Sequence, residues 1–184
     1  MNKNRGLTMS IPRMTEILDL AGTNDPSKHF FQLVSSNGDG TGVVDLNAAA
    51  PADYFITPSS SQKIILKRLN LLEKDLSFTN ALGYGAGSAL TNGIGITVEN
   101  GSGVIRNYTP VKIKTTYEWA LLAGVDSSSI GGSGADPHMV RWTFNKGGGN
   151  IKLDGSKGEF LRISYGDAMN FMDFIRIMVQ GHLL

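Results

Sequence analysis

The chain has 184 residues, enough for one domain with a substantial core and short for two. Its 17 Lys and Arg against 16 Asp and Glu leave a formal net charge of +1, so there is no general electrostatic case for nucleic-acid or membrane-surface binding. Zero cysteines exclude disulfides, thiolate chemistry and the ordinary structural zinc sites, and no apolar run approaches the ~20 residues that span a bilayer.

Residues 1–27 differ in character from the rest. The start (MNKNRGLTMSIPRM) lacks the apolar stretch of a secretory signal, so synthesis in a cytoplasm is expected and the acceptor patterns at Asn100 and Asn107 read as chance. An amphipathic fragment at 15–20 is too short to be a stable helix alone, and a loop signal follows at 22–26. The expectation is an extended N-terminal arm that orders against a neighbour or against the body; a disordered tail is the competing reading. The body, residues 28–184, reads as a single domain.

In chain order, 28–34 (KHFFQLV) is a first strand and 53–57 (DYFIT) a short second one. Residues 62–72 (QKIILKRLNLL) fit helix or strand; the β-branched start and the alternation Ile65, Lys67, Leu69, Leu71 favour strand. Lys63, Lys67 and Arg68 in it read as a solvated basic face. A Gly-rich connection at 82–92 leads to a hairpin, 94–99 and 104–108, whose Asn100-Gly101 supplies the positive φ angles of a tight turn. Residues 115–123 (TTYEWALLA) are the best helix candidate, with Thr115 as cap, Glu118 completing a capping box and Gly124 as the stop. Ser and Gly at 127–137 predict a mobile loop.

The last quarter, 138–181, alternates apolar and polar residues between glycine breaks and reads as three strands joined as hairpins. Trp142, Phe144, Phe160 and Ile163 are its expected core. The final segment fits a helix, with Phe171, Phe174, Ile175 and Met178 on one side, or a strand, with Asp173, Ile175, Ile177 and Val179 alternating; the flanking Gly166 and Gly181 and the β context favour strand. Seven to nine short strands with regular turn signals predict an all-β fold, an antiparallel β-sandwich that is jelly-roll-like, with one short helix. An immunoglobulin-like sandwich has the same periodicity.

Residues equipped for chemistry are scattered. His29, His138 and His182 show no metal-ligand spacing. Gly83, Gly85 and Gly87 fall short of a phosphate loop, and residues 37–41 (NGDGT) form half a calcium loop without the closing Glu. Glu118, Asp154 and Glu159 are the acids in the most motif-like settings, yet Glu118 reads as a cap and Asp154-Gly155 as a turn; Trp119 and Trp142 are the only sugar-platform candidates. The expectation is no catalytic, cofactor or metal residue. Charged residues are only 18% of the chain, which suits permanent contact with partners.

Residues 89–94 (ALTNGI), 140–144 (VRWTF) with 146–148 (KGG), 151–155 (IKLDG) with 158–159 (GE), and 179–181 (VQG) resemble short motifs of small virion proteins of tailed bacteriophages. The resemblance covers roughly 53–181 and brings no functional residues with it. It implies a non-enzymatic β-sandwich or jelly-roll component located in the virion and made in the host cytoplasm. A capsid decoration (cement) protein on the major capsid protein lattice is the first expectation, and a head–tail or tail part the second. The expected partners are copies of the chain itself, a trimer being one such assembly, and other virion proteins, with no nucleic acid and no membrane. A jelly-roll glycan-binding module or enzyme, and a cytoplasmic assembly chaperone, are the alternatives.

Overall fold

The computed structural model describes residues 29–34, 52–75, 84, 89–122, 125–129, 138–144, 149–167 and 172–184. The predicted N-terminal arm and the half calcium loop at 37–41 lie outside them. The described residues form ten strands: β1 (His29–Val34), β2 (Ala52–Ile56), β3 (Lys63–Asp75), β4 (Ile94–Asn100), β5 (Gly103–Asn107), β6 (Val125–Ser129), β7 (His138–Thr143), β8 (Ile151–Asp154), β9 (Phe160–Tyr165) and β10 (Met172–Leu183).

All pairings are antiparallel and make two sheets. The first runs β1-β10-β3-β7-β6, with β8 also on β3, and the second runs β2-β9-β4-β5. The fold is an all-β sandwich. Its pairs nest: β1 with β10, β2 with β9, β3 with β7 and β8, and innermost the hairpin β4–β5.

Side-chain alternation explains the two layers. On β4 the residues Ile94, Ile96 and Val98 are buried; on β9 Leu161, Ile163 and Tyr165; on β10 Ile175, Ile177 and Val179. These inner faces meet in one core with Leu66, Leu69, Leu71, Val140 and Trp142. A fully buried Ile or Leu stabilises by about 1.5–3 kcal/mol, so the shared interior holds the sheets together. Aromatic edges interlock in it: Tyr54 on Tyr165 at 5.9 Å, Tyr108 on Trp142 at 5.5 Å, Trp142 on Phe144 at 4.8 Å. The alternation on β3 changes phase between Leu66 and Leu69, where its pairing with β10 also slips, between Gln180 and Gly181. A bulge there lets one 13-residue strand keep apolar residues inward along its whole length.

Several expectations need correction. The C-terminal strands exist, but they are not hairpins with one another. β7 lies on Arg68–Glu73 of β3 and β8 on Lys63–Leu66, both running the same way, so the Gly-rich stretch after Phe144 interrupts what is in effect one long strand. β9 then crosses to the second sheet and β10 returns to the first. Asp154-Gly155 makes that first crossing. Gly155 donates to the Gln62 carbonyl at 2.9 Å, and a Cβ there would run into the Ser59 carbonyl.

The helix at 115–123 is a six-residue 3-10 turn, Thr116–Leu121. Half of the predicted capping box forms: the Glu118 carboxylate accepts from the Lys114 and Thr115 N–H groups, while the buried Thr115 Oγ1 has no hydrogen-bond partner. Ser127–Ser129, read as loop, belong to β6 and pair with His138–Val140; the neighbouring β7 supplies a ladder that local composition does not reveal. In the β4–β5 hairpin the positive φ falls on Gly103 (118°), while the Asn100 side chain accepts from Ser102 N–H at 2.9 Å. Phe160 is half-buried on the outer face against Phe55, because β9 turns Leu161, Ile163 and Tyr165 inward. Lys67 is buried and Arg68 half-buried; only Lys63 of that trio is a solvated cation.

Candidate interaction surfaces

Acids that a catalytic reading would need are engaged in the fold. Glu118 holds the 3-10 turn. Glu159 accepts from Asp154 N–H at 2.9 Å, and Asp154 accepts from Ser156 N–H at 3.1 Å and its hydroxyl at 2.6 Å while pairing with Lys63 at 2.9 Å. The Ser156 hydroxyl, and after it Lys63, lower the Asp154 carboxyl to about 2. Asp167 takes the N–H groups of Thr91, Asn92 and Gly93 at 2.6–3.1 Å, a clamp between β9's exit and β4's entry that no motif in the sequence announces. Glu118, Asp154 and Glu159 thus serve turns, as their local patterns suggest.

The buried polar groups form a link between the sheets. Glu73 of β3, fully buried, meets His138 Nδ1 of β7 at 3.2 Å and accepts from the Tyr165 hydroxyl of β9 at 3.4 Å. Trp119 Nε1 donates to the Tyr84 hydroxyl at 2.6 Å. Burial first, and the Glu73 charge second, raise the phenols of Tyr84 and Tyr165 well above 10. With His138 and Glu73 both sealed from water, this cluster positions β3 against β7 and β9 and offers no path for a substrate. His182 is also buried, on β10 opposite Ile65, and the side chain of His29 lies outside the described residues. The three histidines lie on three strands, and among the described residues no group of three or more His, Asp or Glu could hold a metal ion. Of the Gly83–Gly87 stretch only Tyr84 is described, and it is core. No helix among the described residues is long and apolar enough to cross a membrane.

Trp119 is fully buried and Trp142 nearly so, which removes both as exposed sugar platforms. Both tryptophans pack in the core.

The outer faces of the sheets remain. On the second sheet Arg162 bridges Asp53 through two hydrogen bonds, at 2.7 and 3.0 Å, and reaches Glu99 at 3.4 Å. Asp53 above all keeps that guanidinium protonated. Beside this ladder Phe55 and Phe160 stack edge to face at 5.5 Å. The edge strand β5 is exposed throughout, Val104 and Ile105 included, and Val111 (81% exposed) and Leu121 (79%) project from the connections that follow. At the open end near β5 and β8, Lys63, Arg106, Lys152 and Lys157 ring a cleft of about 290 Å³ with Asp154 and Glu159.

The outer face of the first sheet carries a hollow of about 340 Å³ in which Arg68, Arg141 and Arg176 stand around Leu72, Met139 and Met178. Its signal in the sequence is the set of outward positions on β3, β7 and β10, visible only once the three strands are known to be neighbours.

Comparison of the chain with protein-family models, with curated proteins and with solved structures returns no match.

Proposed function

We propose that this protein is a non-enzymatic structural component of a tailed-phage virion, most simply a capsid decoration protein that associates with copies of itself and binds the major capsid protein lattice. The nested strand order supports the jelly-roll form of the sandwich. One observation carries the reading: each of the seven acids whose side chains are described is bonded within the fold, while bulky apolar side chains stand in water. Phe55, Val104, Val111, Tyr117 and Leu121 are all exposed, on a scaffold braced by its own polar contacts. Such residues favour permanent contact over a freely diffusing life. The motif resemblance adds the setting, a virion.

The test is twofold. Sedimentation or mass photometry of the purified chain should give a stable oligomer, and the chain should co-purify with particles, where cryo-EM would locate it on the head or at the tail. A stable monomer that is absent from particles overturns the reading; absence from particles alone favours an assembly chaperone.

A further inference from the structure

The segment from Gly103 to Leu122 is unlike the rest of the described surface. It follows β4 as the free edge of the second sheet, through the β5 ladder, the Tyr108–Ile96 hydrogen bond and the Ile113–Ile94 bridge. Its 3-10 turn then packs on β6. Of the seven large hydrophobic side chains exposed among the described residues, five lie on it: Val104, Ile105, Val111, Tyr117 and Leu121. Single exposed apolar residues are ordinary, but five along one edge mark a contact surface.

Two features decide what the surface takes. The register of β5 on β4 slips at Ile105, and Pro110 has no N–H, so the edge lacks the even row of main-chain groups that an added strand needs. A partner therefore meets it through side chains. The charge is also one-sided. The segment carries Arg106, Lys112 and Lys114, all exposed, and one acid, Glu118, whose carboxylate is held by the Lys114 and Thr115 N–H groups. Arg106 and Lys112 donate to the neutral hydroxyls of Tyr108 and Ser164, and among the described residues no carboxylate pairs with any of the three cations. Two such edges face to face would set like charges together, which disfavours a symmetric pair. An acidic segment with an apolar side fits.

The sequence contains one. Residues 14–25 hold Glu16, Asp19 and Asp25 and no Lys or Arg. At helical spacing Met14, Ile17, Leu18 and Ala21 share one side, with Glu16 and Asp19 on the other. We propose that the Gly103–Leu122 edge is the docking site for residues 14–25 of a second copy of this chain. The segment leads into β1, four strand spacings from β6, or roughly 19 Å. The four residue steps from His29 back to Asp25 reach at most about 14 Å, so a neighbour's segment fits the whole edge where the chain's own does not. This rests on the self-association proposed above and names the surface that carries it.

The experiment uses the full-length chain and reads its mass against concentration. Val111→Asp with Leu121→Asp should raise the dissociation constant of the oligomer by roughly ten-fold or more. So should Arg106→Glu with Lys114→Glu, and separately Glu16→Lys with Asp19→Lys. All the substituted edge positions are exposed, and unfolding temperatures close to the parent's establish that each variant is folded. An equimolar mixture of the Arg106→Glu, Lys114→Glu chain with the Glu16→Lys, Asp19→Lys chain should reassociate, since each edge then meets a segment of opposite charge. A mass indifferent to all three pairs overturns the docking site while leaving self-association standing. Dissociation by the edge substitutions alone gives the edge to another occupant and overturns the assignment of residues 14–25. Variants that dissociate but fail to reassociate on mixing overturn the second-copy contact. A monomeric parent would overturn the reading on which the site rests.

Discussion

The two sheets bury similar inner faces and finish their outer faces in opposite ways. On the second sheet the central cation, Arg162, lies between Asp53 and Glu99, and the aromatic pair Phe55–Phe160 covers its neighbourhood. Charge there is compensated before any partner arrives. On the first sheet Arg68, Arg141 and Arg176 gather around an apolar floor of Leu72, Met139 and Met178. The same strand geometry thus yields one face finished by an ion-pair ladder and one finished by arginines around an apolar hollow.

What the sheets share is tested by the largest effect. Glu73→Ala leaves His138 and the Tyr165 hydroxyl without their carboxylate between the layers, and should cost about 3–5 kcal/mol in urea unfolding. A loss below about 1 kcal/mol would mean that the sheets do not depend on this link. Next comes alkaline pH. Because the folded pKa of Tyr84 and of Tyr165 is raised, the folded state keeps those protons while the unfolded chain gives them up. Their contribution is complete below about pH 10 and is lost as pH rises beyond it. Phenolate absorbance should therefore show these two tyrosines ionising only together with loss of circular dichroism; earlier ionisation would contradict their burial.

The comparison itself is sharpened by Arg162→Ala. With Arg162 partly exposed, loss of its ladder should cost only a few tenths to about 1 kcal/mol and leave the oligomer's mass unchanged. A larger effect on mass than on stability would erase the distinction between the faces. The smallest effect belongs to Asp154, whose lowered carboxyl keeps its contacts with Ser156 and Lys63 at all pH values well above 2. That contribution is complete above about pH 4 and is lost as pH falls through about 2; Asp154→Asn should remove this acid-side dependence together with a small loss of stability at neutral pH.

Strands were legible wherever alternation met a buried face, as on β4, β9 and β10. The helix at 115–123 was misjudged because a capping box specifies how a turn begins, and Glu118 does bind the N–H groups of Lys114 and Thr115 whether the turn is 3-10 or α. Pairing was hidden for a different reason. Glycines after Phe144 and at Gly155 say where the chain leaves a strand, but not that β7 and β8 share one partner or that β9 crosses to the other sheet. The arginine hollow was hidden for the same cause, since Arg68, Arg141 and Arg176 are far apart in sequence and become neighbours through β3's pairing on both sides. Asp167 has no local signature either: its hydrogen-bond donors lie about 75 residues earlier.

The place of β10 also dictates an order of events during folding. It lies between β1 and β3, so both of those strands leave the ribosome long before the neighbour that covers their facing edges. Until β10 arrives, the inner hairpin β4–β5 can close and β9 can join it, but the first sheet lacks its middle. A chain of this topology completes both sheets late, because β9 and β10, each inside its sheet, are the last two strands. It does so at the slow pace typical of non-local pairing. In that interval the open edges of β1 and β3 can capture the β10 of another molecule, so crowded synthesis favours strand exchange between copies.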